Sequence, residues 1–545
     1  MAYMTAVAPV PWWPPPPELA HAGLLVASSP AGYPEPQTLP FLFAPLPPPP
    51  PAGCPLLPPP APIVIQLQPH PSLLAEVDHR RSSSLVQFLK DEGAVLSPED
   101  ENKREKVIRE LKKIVMHWAN AVAYEQSVPQ GLATATVLTY GSYTLGAHGP
   151  ESDIDLLCLG PCIATLQYHF FVVLRQILQG RPEVSEVHTV EKAKVPLMRF
   201  RFTGIAVDLT YAQLPVIDAL KAINTFSPQL LQKIDTRSWR SLSGVRVNEQ
   251  IVQLVPNAEF CFTGNTMQKF QTLLRCIKLW ARKRGLHCHY LGFFAGIHLA
   301  ILAAYVCRKF PDASVSGLFA VFFQTFAHWP WQVPVSLHDE LTTCLHSEGR
   351  LMPIVMPCTP PEFCASTVTK GSLKKIREEL TRGYVLTRDP LRHDFQWSWL
   401  FEPFPYDQKY QQFLRIALRA PTIAELGDWA GWVKSRFRFL ILKLERAGIE
   451  CDPCPSEEVD HTDNDPNVVF YWGLIPKRII QVDTSSLKGD FMEDLTNDVY
   501  GTVKCTHSDV TISVVGLPQL PKSMCSRVYP PAVHAALYDG LRGHR

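Results

Sequence analysis

Twenty-three of the 51 prolines fall before Ser72, in runs such as PPPP and PLPPPPP, and no Lys or Arg occurs before Arg80. Proline fixes φ and lacks a backbone donor, so a stretch this rich in it supports neither helix interiors nor sheets. Residues 1–81 are therefore expected to form an extended, disordered arm, with folding starting near Ser82. The missing arginines argue against an organellar transit peptide, and the prolines against a secretory signal. If the arm has a partner, its chemistry suits a proline-binding domain.

The rest of the chain can bury a core: overall it is 46% hydrophobic and 19% charged. Net charge is +1, with 52 basic against 51 acidic residues, so any basic surface has to be local. Fourteen cysteines follow no disulfide-like spacing, which suits reduced thiols in an intracellular protein. Cys451 and Cys454 form a lone CxxC without a second pair, a poor zinc site. No apolar run is long enough for a membrane helix. GLFAVFFQTFAHWPWQVPV comes nearest and is broken by Gln324, His328 and Pro330.

SPEDENKREKVIRELKKIVMHWANAVAYEQ opens with a helix start signal, and Val107, Leu111, Ile114, Val115 and Trp118 recur at helical spacing. ATATVLTYGSY reads as a strand and a glycine turn, DIDLLCLG as a strand, and CIATLQYHFFVVLRQILQG as a helix. LMRFRFTGIAVDLTYAQL reads as two strands joined at Gly204. A mostly helical region follows from Ile217 to Phe401. From Tyr406 the pattern changes: YDQKYQQFLRIAL is expected to be a helix, leading into WAGWVKSRFRFLILKLERAG and strand-like stretches such as VVFYWGLIP and DVTISVVGL. The order predicts an α+β multidomain protein.

The chemistry centres on YGSYTLGAHGPESDIDLLCLG. Asp153 and Asp155 stand one residue apart in a strand, which puts both carboxylates on one face. Adjacent carboxylates repel unless a cation lies between them, and Mg²⁺ prefers such oxygen ligands. Asp208 in GIAVDLTYA alternates with Ile205, Val207 and Leu209, so it joins the pair if the strands neighbour each other. Three converging carboxylates can hold two ions. Gly141 and Ser142 offer close backbone approach and a hydroxyl for phosphate, and a helix opened by SYTLG would favour an anion. Lys278 lies on a helix with Arg275, Arg282 and Lys283; either it is part of a solvated basic face or the helix edge presents it to a triphosphate. KSRFRFLILKLER interleaves Lys434, Arg436, Arg438 and Lys443 with apolar residues, as an RNA-contacting or simply amphipathic helix does.

These stretches, with RSLSGVRVNEQIVQLVPN, LRCIKLWARKRGL, LGFFAGIHLAILAAYVCRKFPDAS, LMPIVMP and FLRIALRAPTIAELGDWAGWVKSRFRFLILKLE, resemble the eukaryotic nuclear-type poly(A) polymerases from Ser82 to about Tyr500. The resemblance implies a nucleotidyltransferase palm (DNA polymerase beta-like) over 82–216, a helical central domain over 217–403 and an RRM-like RNA-binding domain over 404–525, before a short tail at 526–545. It implies template-independent addition of AMP from ATP to an RNA 3′ end, with two Mg²⁺ or Mn²⁺ ions. Asp153, Asp155 and Asp208 would hold the metals. Tyr140, Gly141 and Ser142 would lie along the phosphates, Lys278 would bind the triphosphate, and His287, Gly296 and Ile297 would line the ATP pocket.

Three positions depart from the family pattern. His287 stands where a nucleotide-contacting tyrosine is usual, Ser243 where an asparagine is, and Met356 where a threonine is. They leave the metal chemistry intact and bear on ATP selection. The alternatives are a transferase with relaxed nucleotide choice, a UTP-using or CCA-adding relative, or a catalytically weak or inactive RNA-binding member. FCFTGNTMQ, residues 260–268, reads as an insertion just before the Lys278 helix, where it could disturb that helix. His287 and His289 are expected to serve the pocket or the surface rather than form a metal pair. The short tail without a basic cluster resembles plant short forms. The family implies a nuclear location and cleavage and polyadenylation factors as partners; the cytoplasm is the rival location.

Overall fold

Helix α1 runs from Pro71 to Asp91. Its start corrects the expected arm boundary at residue 81: a proline is tolerated at the first helical position, and the segment behind it is proline-free. The computed structural model describes residues 71–129, 131–220, 232–255, 265–338, 349–358, 360–475, 483–497 and 508–524. The rest of the expected arm and the tail at 526–545 lie outside the described residues. The chain divides into two compact units, Met1–Val77 and Asp78–Arg545, and the elements that build the site belong to the second. There, Asp78 accepts hydrogen bonds from the hydroxyls of Ser314 and Ser316, both at 2.6 Å. Arg81 donates to the carbonyls of Asp389 and Arg392.

Helix α2 (Pro98–Glu125) is capped by Ser97, whose hydroxyl accepts from the Asp100 amide at 3.1 Å. Its apolar stripe, from Val107 to Val122, is buried against a five-stranded sheet. Strand β1 (Thr136–Tyr140) ends in a one-turn helix, α3 (Gly141–Thr144), and is followed by β2 (Ile154–Gly160). A π-helical segment, Leu166–Leu174, leads to β3 (Val184–Val190), β4 (Leu197–Phe202) and β5 (Ile205–Gln213). The spatial order is β1-β2-β5-β4-β3, with β2 and β5 parallel and the other pairs antiparallel. Ile154, Leu156 and Cys158 face α2, while Leu157 and Leu159 pack with Leu242 and Val245 on the other side. With both faces covered, β2 is fixed in register: a slip by one residue would exchange its two sets of neighbours.

The helical middle comprises α4 (Thr236–Leu254), α5 (Thr266–Lys283), α6 (Gly296–Lys309), α7 (Val315–Ala327) and α8 (Lys370–Thr387), with a small hairpin of β6 (Val355–Met356) and β7 (Glu362–Phe363) before α8. Trp280 of α5 is fully buried, edge-on to Phe322 and Phe323 of α7. Of the expected insertion, residues 260–264 lie outside the described residues. The remainder opens α5 instead of disturbing it: Asn265 accepts from the Met267 amide at 2.9 Å, and Thr266 is fully buried.

The C-terminal region contains β8 (Gln412–Arg419), α9 (Ile423–Lys434), α10 (Phe437–Arg446), β9 (Glu450–Asp452), β10 (Asn467–Ile475), α11 (Thr484–Thr496) and β11 (Asp509–Gly516). This βαββαβ chain forms an antiparallel sheet of order β11-β8-β10-β9. The helix expected over YDQKYQQFLRIAL is confined to Tyr406–Lys409. The remainder is β8, a central strand buried on both faces, so its apolar run lacks the alternation that marks a strand. One face of the sheet packs through Phe470 and Trp472 on Phe437 of α10. The opposite face, with Phe413, Ala417, Val469 and Tyr471, is covered by Phe404, Tyr406, Tyr410 and Leu520.

Buried charges join this region to the helices. Arg284, just after α5, binds both oxygens of Glu379 on α8 at 2.7 and 2.9 Å. It also donates to the carbonyls of Glu402 and Pro403. Lys375 reaches the Tyr406 hydroxyl and Asp452, both at 2.8 Å, and Tyr410 donates to the other oxygen of Asp452 at 2.6 Å.

Candidate active site

The sheet register assembles the site. Tyr140 lies opposite Asp155 across β1–β2, Asp155 beside Asp208 across β2–β5, and Asp208 opposite Arg199 across β4–β5. Residues level with one another on adjacent strands project from the same face, so four strands contribute one row of side chains. Asp153, two residues before Asp155, falls on that face too.

Gly141 closes the row. Its φ is +68°, and a Cβ built there would sit 2.0 Å from Asp155 Oδ2. No side chain fits between that backbone and the carboxylate. The turn is held by Asn248 of α4, whose amide donates to the Gly141 carbonyl at 2.9 Å, and by the Ala147 amide on the Ser142 carbonyl. The bare surface of Gly244 on α4 receives the Tyr140 ring, where a Cβ would approach to 2.7 Å. Ser243 beside it turns its hydroxyl to the Arg240 carbonyl. Because α3 is a single turn, it lends little of the helix dipole that a longer SYTLG helix would bring.

Electrostatically the row is an unbalanced acidic patch. Burial, with Asp153 and Asp208 adding repulsion, pushes Asp155 up to about 7. Burial and Asp208 raise Asp153, opposed by Arg199 and Lys278. Burial also keeps the Tyr140 phenol protonated far above its usual range. Lys278 donates to the Ala147 carbonyl at 3.0 Å. Burial and the nearby Arg282 bring it down to about 8, while Asp153 and Asp155 pull it back up. His287 is driven down to about 4 by burial, with Lys278 and Arg282 adding to the effect, so it is a neutral imidazole at physiological pH. Gly296 and Ile297 open α6, which packs on α3, α4 and α5. Met356 pairs with Glu362 across the β6–β7 hairpin. His289 turns away from His287: its Nε2 and that of His298 converge on the Ala365 carbonyl at 3.1 and 3.2 Å.

Sequence reasoning missed Arg199. It holds Asp208 in a two-pronged pair with contacts of 2.9 to 3.1 Å. Its only sequence signal is its place on the polar side of LMRFRF, opposite an aspartate strand. With Asp208 held this way, no three His, Cys, Asp or Glu side chains among the described residues stand as a ready metal cage. The donor set nevertheless fits a hard divalent ion. It offers carboxylate oxygens only, and the burial and added carboxylate repulsion that raise Asp153 and Asp155 are what a cation offsets.

The comparisons with known proteins identify the family. The family model of the poly(A) polymerase nucleotidyltransferase domain matches residues 72–255, and that of the poly(A) polymerase central domain matches 269–403. Nuclear poly(A) polymerase 3 of Arabidopsis thaliana is 45% identical over 82% of this chain and 86% of its own length. The chain belongs to the poly(A) polymerase family. Nuclear poly(A) polymerase 4 of the same plant is 35% identical over 73% of this chain and 55% of its own length. A crystal structure of the Cid1 poly(U) polymerase aligns over 60% of this chain and 99% of its own at 12% identity, with a TM-score of 0.42, too low to carry weight. As a poly(A) polymerase family member the chain has a nucleotidyltransferase domain that contains the whole acidic row, and a central domain that contains Lys278, His287, Gly296 and Ile297. No helix among the described residues is long and apolar enough to cross a membrane.

Proposed function

We propose that this family member is a template-independent polynucleotide adenylyltransferase, adding AMP from ATP to the 3′ end of RNA. The observation that carries the reading is the row formed by Tyr140, Asp155 and Asp208, closed by Gly141. Asp153 and Asp155 would hold two Mg²⁺ or Mn²⁺ ions, and Asp208 the one nearer the primer hydroxyl. When bound, such ions activate the attacking oxygen and neutralise charge on the triphosphate. Gly141 and Ser142 bring backbone amides and a hydroxyl to the phosphates, below the Tyr140 ring. Lys278 gives a cation whose hydrogen-bond partner, the Ala147 carbonyl, is easily exchanged for a phosphate oxygen. Gly296 and Ile297 line the nucleotide side. The neutral His287 adds a hydrogen-bonding group without competing charge.

The βαββαβ order of the C-terminal sheet supports an RRM-like RNA-binding module. Its helix-free face is covered by Phe404, Tyr406 and Tyr410, so RNA contact falls to its helices and edges. A nuclear location accords with the names of the relatives. Cleavage and polyadenylation factors are partners in this reading, and a proline-binding domain is a candidate for the arm. The grip of Arg199 on Asp208 favours one second reading, a catalytically weak member.

The test is extension of one RNA primer with each of the four nucleotides, in Mg²⁺ and in Mn²⁺. Extension by ATP alone is expected. Equal use of all four would overturn ATP selection, and oligo(A) binding without any extension would establish the non-catalytic reading.

A further inference from the structure

A cationic hollow that includes no residue of the acidic row lies where the helical middle meets the C-terminal module. It has a volume of 440 Å³, the size of a nucleotide-binding cleft. Arg350, Lys370 and Arg438 reach it from three separate segments of the chain. All three are exposed at the surface. The one carboxylate in its wall, Glu445, accepts the Gly371 amide at 2.8 Å and so caps the first turn of α8.

The arrangement singles out Arg438 among the basic residues of KSRFRFLILKLER. Lys434 is paired with Glu457 and Lys443 with Asp494, and neither they nor Arg436 and Arg446 line the hollow. Arg438 instead faces the hollow, and its neighbour Phe439 is 48% exposed. Arg350 lies over the Phe363 ring at 4.8 Å. A positively charged groove is the usual means of tracking the phosphates of a single-stranded nucleic acid.

The hollow also has a structural link to the nucleotide side of the active site. Its wall includes Ser366, next to Ala365, whose carbonyl receives both His289 and His298. His298 lies in the first turn of α6, which begins at Gly296 and Ile297.

The geometry points to a phosphodiester subsite for the body of the RNA, formed by Arg350, Lys370 and Arg438. Their placement on three segments around a concave wall suits a flexible chain of phosphates better than a rigid acidic helix. The subsite rests on the reading of the protein as an RNA-tailing enzyme, and it adds where the RNA upstream of the reacting end is held.

The experiment compares wild type with the triple variant Arg350→Gln, Lys370→Gln, Arg438→Gln, using fluorescent oligo(A) in a salt titration. Affinity for a long oligo(A) is expected to fall on the order of tenfold at low salt, and the slope of log affinity against log salt to shrink by about 2. Affinity for a trinucleotide, which would occupy the acidic row alone, is expected to match wild type. ATP binding, read without RNA, reports on the active-site reading alone and is expected to be unchanged. Wild-type affinity and slope for the long oligo(A) would overturn the subsite, as would competition by a polyglutamate peptide as effective as competition by RNA. Should the triple variant fold poorly, Arg438→Gln alone, at an exposed helix position, is expected to reduce the slope by about 0.7.

Discussion

Two clusters of charge in this molecule are solved in opposite ways. At the acidic row, Asp153 is exposed while Asp155 and Asp208 are half-buried beside it, and both Asp153 and Asp155 are raised in pKa. At the junction between the helices and the C-terminal sheet, Glu379 is more deeply buried yet is held below its usual range, because Arg284 pairs with both its oxygens. Burial alone therefore does not decide the outcome; the match of partners does. The junction is charge-matched and structural. The row is left with more acidic than basic groups, the charge imbalance that a bound cation would relieve.

The largest effect should come from removing the row's central member. Asp155→Ala is expected to lower RNA tailing on the order of a thousandfold or more in primer-extension assays, because the clamp loses a shared ligand. Its thermal midpoint should be equal to or above wild type, since a repelling charge is gone. Full tailing by this variant would sink the metal assignment.

The same operation at the junction should reverse the pattern. Glu379→Ala leaves the buried Arg284 charge without its carboxylate, and is expected to cost about 3–5 kcal/mol in chemical denaturation. Replacing both residues with apolar ones, Arg284→Met with Glu379→Leu, should recover much of that loss. If the double variant were as unstable as the single, the pair would be contributing more than charge balance.

A pH titration of stability sharpens the contrast further. In chelator, the folded pKa of Asp155, about 7, lies above its unfolded value. The folded state then holds a proton that the unfolded chain releases, so wild type should lose stability as pH rises from about 4 to about 7. Asp155→Asn removes this loss. The two proteins should match at the acid end and diverge in favour of the variant above neutrality; parallel curves would show that the carboxylate is not strained.

The smallest stability change is expected at Arg199→Ala. That side chain is 60% exposed, and such pairs contribute about 1 kcal/mol or less. Its binding effect should be larger: with Asp208 released, Mn²⁺ affinity measured by the electron spin resonance of free ion should tighten severalfold. Unchanged affinity would mean that the guanidinium and an ion do not compete.

The acidic row was legible because Asp153 and Asp155 stand one residue apart at the head of an apolar run, and Asp208 sits among apolar residues that fix its face. β8 was not, because a central strand covered on both sides has no alternation to read. The helix expected there reflects that missing pattern. Arg199 gave no local sign, since its meaning depends on the β4–β5 register. The junction was also out of reach: Arg284 and Glu379 are 95 residues apart, and nothing in either neighbourhood names the other. The roles of Lys278, His287, Gly296 and Ile297 came from family resemblance, as their residue types alone left a solvated helix face equally open.

The position of Arg284 has a mechanical consequence. It directly follows α5, under two turns beyond Lys278, or about 9 Å along the axis. One end of α5 is thus bolted through Arg284 to α8 and the carbonyls of Glu402 and Pro403, while the stretch before it carries Lys278, the proposed triphosphate ligand, on the Ala147 carbonyl. The C-terminal module and Lys278 should travel as a single rigid body. Any opening of the cleft then has to occur between α5 and the palm, where the contact of Lys278 with the Ala147 carbonyl is cheap to break and remake.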